Sequence, residues 1–122
     1  MRLLIVDSSV VIIERWQQTL TELEMVTAVY GAVSYKDGIR LFEEIKPDVV
    51  LLDSGLPAKE WIHLSKEIKK RNAKTIQIIF ANPEDELLLK ECKTLEPDYI
   101  FDKYHDFEKI PVLLNILSNK NK

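Results

Sequence analysis

Residues 49–57, VVLLDSGLP, carry four consecutive aliphatic side chains straight into a carboxylate, Asp53, with Ser54, Gly55 and Pro57 close behind it. Such a run reads as a strand covered on both faces, and the Gly and Pro that follow end it. An isolated ion in a low-dielectric interior is too costly to keep. Asp53 must therefore reach a polar cleft at the rim of a sheet, or meet partners there.

Four other short apolar runs resemble this one: 2–6 (RLLIV), 26–30 (VTAVY), 76–80 (IQIIF) and 98–101 (DYIF), with the strand around Asp53 taken as 48–52. Between them lie longer amphipathic stretches. Residues 10–23 place Val10, Ile13, Trp16, Leu20 and Leu23 on one helical face, and 35–45 do the same with Tyr35, Ile39, Phe42 and Ile45 before Pro47 stops the helix. Residues 58–71, 84–95 and 106–118 supply three more helices, the last expected to begin between Asp106 and Ile110 with Pro111 in its first turn. Strict alternation of strand and helix predicts an α/β fold with a parallel sheet and right-handed crossovers. Nothing breaks the pattern, so 1–122 reads as a single domain with a frayed tail at 118–122.

Composition narrows the function classes. The chain is 46% hydrophobic and 30% charged, an ordinary globular mixture, and its net charge of −3 argues against direct nucleic-acid binding. The single cysteine, Cys92, has no internal partner, which points to a reducing compartment. The apolar start MRLLIV reaches a charge at Asp7, too soon for a signal peptide or a membrane span. The expectation is a soluble, cytoplasmic protein without membrane insertion.

Ligands of open parallel sheets bind beyond the carboxyl ends of the strands. At those ends stand Asp7, Asp53, Phe80-Ala81-Asn82 and Asp102-Lys103. If the first and third strands are neighbours, Asp7 and Asp53 share a cleft with Lys103 across it. Two carboxylates suit a hard cation such as Mg²⁺, and a lysine beside them would pair with a phosphate. Taken singly, Asp7 reads equally as a turn residue and Lys103 as a solvated lysine; the shared edge is what joins them.

The stretches LLIVDSS (3–9), KPDVVLLDSGLP (46–57), IIFAN (78–82) and PDYIFDK (97–103), in this order and spacing, resemble the receiver domain of bacterial two-component response regulators. The resemblance runs from about Leu3 to Leu117. It implies a flavodoxin-like (βα)5 doubly wound sheet of strand order 2-1-3-4-5. By resemblance, Asp53 takes a phosphoryl group from the phosphohistidine of a sensor histidine kinase or phosphotransfer protein. Asp7, Asp53 and the backbone carbonyl of Gly55 hold Mg²⁺, and Lys103 contacts the phosphoryl oxygens. Such a domain is not an enzyme with an external substrate. With no effector domain following, it is expected to signal by contact with a downstream protein target, and family habit adds a possible homodimer. The polar tail equally fits a receiver excised from a longer protein.

The chain also departs from the family. Ser8 stands where a second acid is usual, which should weaken Mg²⁺ binding; Ser9 reads as a helix cap. Phe80 replaces the hydroxyl residue at the end of the fourth strand, and Ile100 replaces the aromatic that moves with it. Tyr104 stands in place of the proline after Lys103. Trp61, in place of a common glycine, either packs on the third helix or faces a partner. Ser8, Phe80 and Ile100 keep a second expectation open, a degenerate pseudo-receiver acting as a phosphorylation-independent protein-binding module. An aspartate-nucleophile phosphatase would need an acid at Ser9, and a flavin-binding phosphate loop would not read Ser8-Ser9-Val10-Val11. His63, His105 and Cys92 have no ligand spacing.

Overall fold

Two stretches, Lys46-Pro47-Asp48 and Glu96-Pro97-Asp98, stop a helix and start a strand within three residues. In the computed structural model, which describes residues 1–120, Lys46 and Glu96 adopt left-handed φ angles of 47° and 51°. Each donates its amide back to the helix it leaves, Lys46 to the carbonyl of Phe42 and Glu96 to that of Lys93. The proline then forbids another turn. The aspartate accepts an amide near the start of the neighbouring strand, Asp48 from Arg2 at 2.7 Å and Asp98 from Gln77 at 2.8 Å.

The five strands are β1 (Arg2–Val6), β2 (Ala28–Ala32), β3 (Val49–Asp53), β4 (Ile76–Phe80) and β5 (Tyr99–Phe101). All pair in parallel in the order β2-β1-β3-β4-β5, the expected flavodoxin-like topology. The helices are α1 (Val10–Leu20), α2 (Tyr35–Ile45), α3 (Glu60–Arg71), α4 (Glu86–Thr94) and α5 (Lys109–Lys120).

Several boundaries differ from the sequence reading. α1 ends at Leu20 rather than 23, because the Thr21 hydroxyl and amide both turn back to the Gln17 carbonyl. Turns through Leu23 and Val26 follow, which moves β2 from 26–30 to Ala28–Ala32. β3 extends to include Asp53 itself. α5 takes in Ser118, Asn119 and Lys120 of the expected frayed tail, while 121–122 lie outside the described residues. Pro111 falls in its first turn, as expected.

The inner strands β1, β3 and β4 are buried on both faces, as their lack of alternation implied, while the edge strands β2 and β5 are half-buried. On one face Phe42, Ile45, Trp61, Leu64, Ile68 and Cys92 pack from α2, α3 and α4. On the other, Ile13, Trp16 and Leu20 of α1 meet Ile110, Leu114 and Leu117 of α5. Trp61 is buried at 2% exposure, so its packing role holds and the partner-facing alternative does not. The polar core group Gln77 is satisfied by Ser65, whose hydroxyl donates to it at 2.6 Å while its own amide donates to the Ser65 carbonyl.

Gly31 in β2 lies directly under Ile13 of α1, and a Cβ there would overlap Ile13 Cγ2. Because Cγ2 sits on a β-branched side chain inside a packed face, it has little freedom to yield. Gly31→Ala should therefore cost about 1–3 kcal/mol, read as a lower urea midpoint with an unchanged slope. A wild-type midpoint would contradict this packing.

Candidate functional site

β1 and β3 are neighbours, with Val6 opposite Leu52, so Asp7 and Asp53 emerge side by side at the carboxyl edge. Lys103 follows β5 and brings its ammonium between them. Its Nζ lies 2.5 Å from Asp7 Oδ2 and 3.2 Å from Asp53 Oδ1. The other carboxylate oxygens are also occupied. Asp7 Oδ1 accepts the Ser9 amide at 2.9 Å, and Asp53 Oδ2 accepts the Gly55 amide at 3.2 Å. Asp7 is 3% exposed, so its ion is tolerable only because every oxygen is partnered.

The electrostatics follow from this arrangement. Burial, reinforced by the negative charge of Asp7, pushes the Asp53 carboxyl above its ordinary value despite the opposing pull of Lys103 and the Gly55 amide. Burial also works against the Lys103 ammonium, but the hydrogen bond to Asp7 and the charges of Asp53 and Asp7 outweigh it and leave Lys103 raised. Two acids around one base leave a net negative charge on an edge that opens to solvent. Beyond Asp53 a cavity of about 640 Å³ is lined by Ser54, Asn82, Glu84, Asp102 and His105 among others.

Gly55 has a local reason of its own. A Cβ there would come within 2.7 Å of Asp53 Oδ2, so a side chain would push the carboxylate from its place. The stretch after it is strained, with Ala58 and Lys59 both at left-handed φ (54° and 56°) before α3 begins.

Ser8, Phe80, Ile100 and Tyr104 sit as follows. Ser8 is exposed, and Ser9 caps α1 by accepting the Ile12 amide at 3.3 Å. The Phe80 ring stacks on Trp16 at 5.5 Å, and Trp16 stacks on Phe107 at 4.2 Å. Ile100 packs against the opposite face of the sheet. No peptide bond among the described residues is cis, so Lys103–Tyr104 is trans. The sequence reading places Asp102 at this edge but not its pairing with His105, at 2.5 Å across Lys103. Their i, i+3 spacing around Lys103 is the signal the sequence carries for this pair.

The chain matches the response regulator receiver domain family over residues 3–115. It belongs to that family. The receiver is 28% identical over 89 residues to the transcriptional regulatory protein YdfI of Bacillus subtilis (strain 168), covering 73% of this chain and 42% of that protein. It is 23% identical to the probable C4-dicarboxylate response regulator DctR of the same organism, covering 88% and 54% respectively. The chain thus spans about half the length of these curated relatives. Among solved structures, a response regulator receiver domain protein from Clostridium thermocellum superposes with a TM-score of 0.84 at 21% identity, covering 98% of this chain and 95% of that one, a likeness of fold.

Receivers are phosphoaccepting modules of two-component signal transduction, not enzymes, and they partner with histidine kinases. The family typically binds Mg²⁺. Here the donor set is a pair of carboxylates, and no group of three or more His, Cys, Asp or Glu side chains gathers among the described residues. A pair still fits Mg²⁺, which is commonly held by one or two carboxylates and keeps several waters. No helix among the described residues is long and apolar enough to cross a membrane.

Because the Asp53 carboxyl is raised in the folded receiver, its ionisation opposes folding. The penalty is absent below the ordinary value of 3.8, grows as pH rises toward the raised value, and is constant above it. Asp53→Asn should therefore stabilise the receiver at pH 7, with the gain shrinking as pH falls toward 4 in urea titrations. A destabilised variant at pH 7 would mean that the Lys103 contact outweighs burial.

Proposed function

We propose that Asp53 is the phosphoacceptor of this receiver, fed by a sensor histidine kinase or a phosphotransfer protein. The observation that carries the reading is the Lys103 ammonium bridging Asp7 and Asp53 at the mouth of the cavity. An oxygen of the ionised Asp53 carboxylate attacks the donor's phosphorus. The phosphorus–nitrogen bond to the histidine breaks, and the product is an aspartyl phosphate. Lys103 is placed to neutralise phosphoryl oxygens, so the chain contributes positioning and charge rather than further covalent chemistry.

Asp7, Asp53 and the Gly55 carbonyl would hold Mg²⁺, which supplies charge neutralisation at the phosphoryl group. Ser8 in place of an acid should weaken that binding by about 10–100-fold if the missing group acts as an outer-shell partner. The output is contact with a downstream protein target, with a homodimer as one form that contact can take.

The active site is in this reading atypical. A hydroxyl bonded to a charged phosphoryl oxygen is worth about 1.5–3 kcal/mol, and Phe80 cannot supply it. Phe80 and Ile100 also pack on opposite faces of the sheet, so they do not form the usual coupled pair. This favours the second reading, a pseudo-receiver that binds its partner without phosphorylation.

Incubation with acetyl phosphate and Mg²⁺, followed by intact mass, separates the two. The expected result is a gain of one phosphoryl group that disappears in Asp53→Ala and falls strongly in Lys103→Ala. No gain under conditions that label a matched receiver would favour the binding module.

A further inference from the structure

Lys103 stands on a short loop whose backbone is tied together by one carboxylate. Asp102 Oδ1 accepts the Tyr104 amide at 2.9 Å, and Asp102 Oδ2 meets His105 Nδ1 at 2.5 Å. The Asp102 side chain therefore reaches over Lys103 and fastens the two residues beyond it. The loop is closed again by Asp106, whose Oδ2 accepts the Asp102 amide at 2.8 Å while its own amide donates to the Asp102 carbonyl at 2.9 Å. These ties fix the backbone from which the lysine stem leaves toward Asp7 and Asp53.

The His105 ring is 85% exposed, so its proton exchanges freely with solvent. The charges around it are mostly acidic. Asp102 and Asp106 face it from its own loop, and Glu84 faces it from the β4–α4 connection. The Lys109 ammonium on α5 is engaged with Asp106 at 2.8 Å, and that of Lys103 is turned to Asp7 and Asp53. Asp102 and His105 also line the cavity beside Asp53.

We propose that Asp102 and His105 are positioning residues for Lys103, and that the protonation state of His105 sets how fast Asp53 takes up a phosphoryl group. The inference rests on the reading of Asp53 as phosphoacceptor. Two consequences of losing the His105 proton act in the same direction. The ion pair with Asp102 becomes a bond between a neutral imidazole and a carboxylate, and the loop holding Lys103 loosens. Asp102 also becomes an uncompensated negative charge on the wall of a cavity that must admit an anionic donor.

The hydrogen bond to Asp102 and the charge of Asp102 raise the proton affinity of His105 above its ordinary value of 6.5. The tether is therefore at full strength below that value and weakens as pH rises through the raised one. Phosphoryl uptake should be several-fold faster at pH 6 than at pH 8.5.

The test compares rates of Asp53 phosphorylation by acetyl phosphate and Mg²⁺ between pH 5.5 and 9 for the wild type and His105→Asn. Asparagine keeps a donor near the place of Nδ1 and does not titrate, and any pH dependence of the donor cancels in the comparison. The expected result is an alkaline fall in the wild-type rate that the variant lacks. The Lys103 amide resonance should titrate with the His105 ring in the wild type and stay fixed in the variant. Asp102→Asn provides a second variant, in which the fall should move toward lower pH. Incorporation with the same pH profile in the wild type and His105→Asn would overturn this inference alone. No incorporation at any pH would overturn the reading of Asp53, and this inference with it.

Discussion

The Asp7 carboxylate is buried, and that constraint organises the carboxyl edge of the sheet. A buried acid needs a counter-charge, and the chain supplies it from Lys103, far away in sequence. β5 lies three strands from β1 in the order β2-β1-β3-β4-β5, a span of about 14 Å at roughly 4.8 Å per strand. A lysine stem does not cover that distance alone. The loop after β5 must lean across the ends of β4 and β3, which is why its own hydrogen bonds matter to the site. Asp53 then completes a group of two acids and one base with a net negative charge.

The same edge is backed by an aromatic stack that has no part in the charge chemistry. Phe80 follows Asp53 in register across β3 and β4, and its ring lies on Trp16, which in turn lies on Phe107. Trp16 belongs to α1 and Phe107 to the approach to α5. A shift at Phe80 is therefore felt first by α1 and α5, whereas Ile100 looks toward the face covered by α2, α3 and α4.

Much of this was legible in the sequence because strand ends are legible. VVLLD, LLIVD and YIFDK each run from an apolar strand into a charge, and the parallel topology brings those charges to one edge. The pattern did not reveal which way Phe80 and Ile100 point, since both neighbours in a doubly covered strand are apolar. Trp61 was ambiguous for the same reason, as an aromatic after a loop has no periodic context until α3 is placed. β2 slipped by two residues because the turns through Leu23 and Val26 are held by backbone bonds that leave no side-chain signature. Ser118 to Lys120 looked frayed because their side chains are polar, yet backbone bonds carry the helix to Lys120. The Asp102–His105 pair was hidden by reading histidines only for metal spacing.

Asp53 and its partner Asp7 are the two carboxylates at this edge that could carry the phosphoryl group, and they can be told apart directly. Borohydride reduces an acyl phosphate to the alcohol and leaves a free carboxylate untouched, so reduction after phosphorylation followed by peptide mapping identifies the acceptor. Homoserine is expected at position 53 and intact aspartate at position 7. Modification at position 7, or at neither, would contradict it.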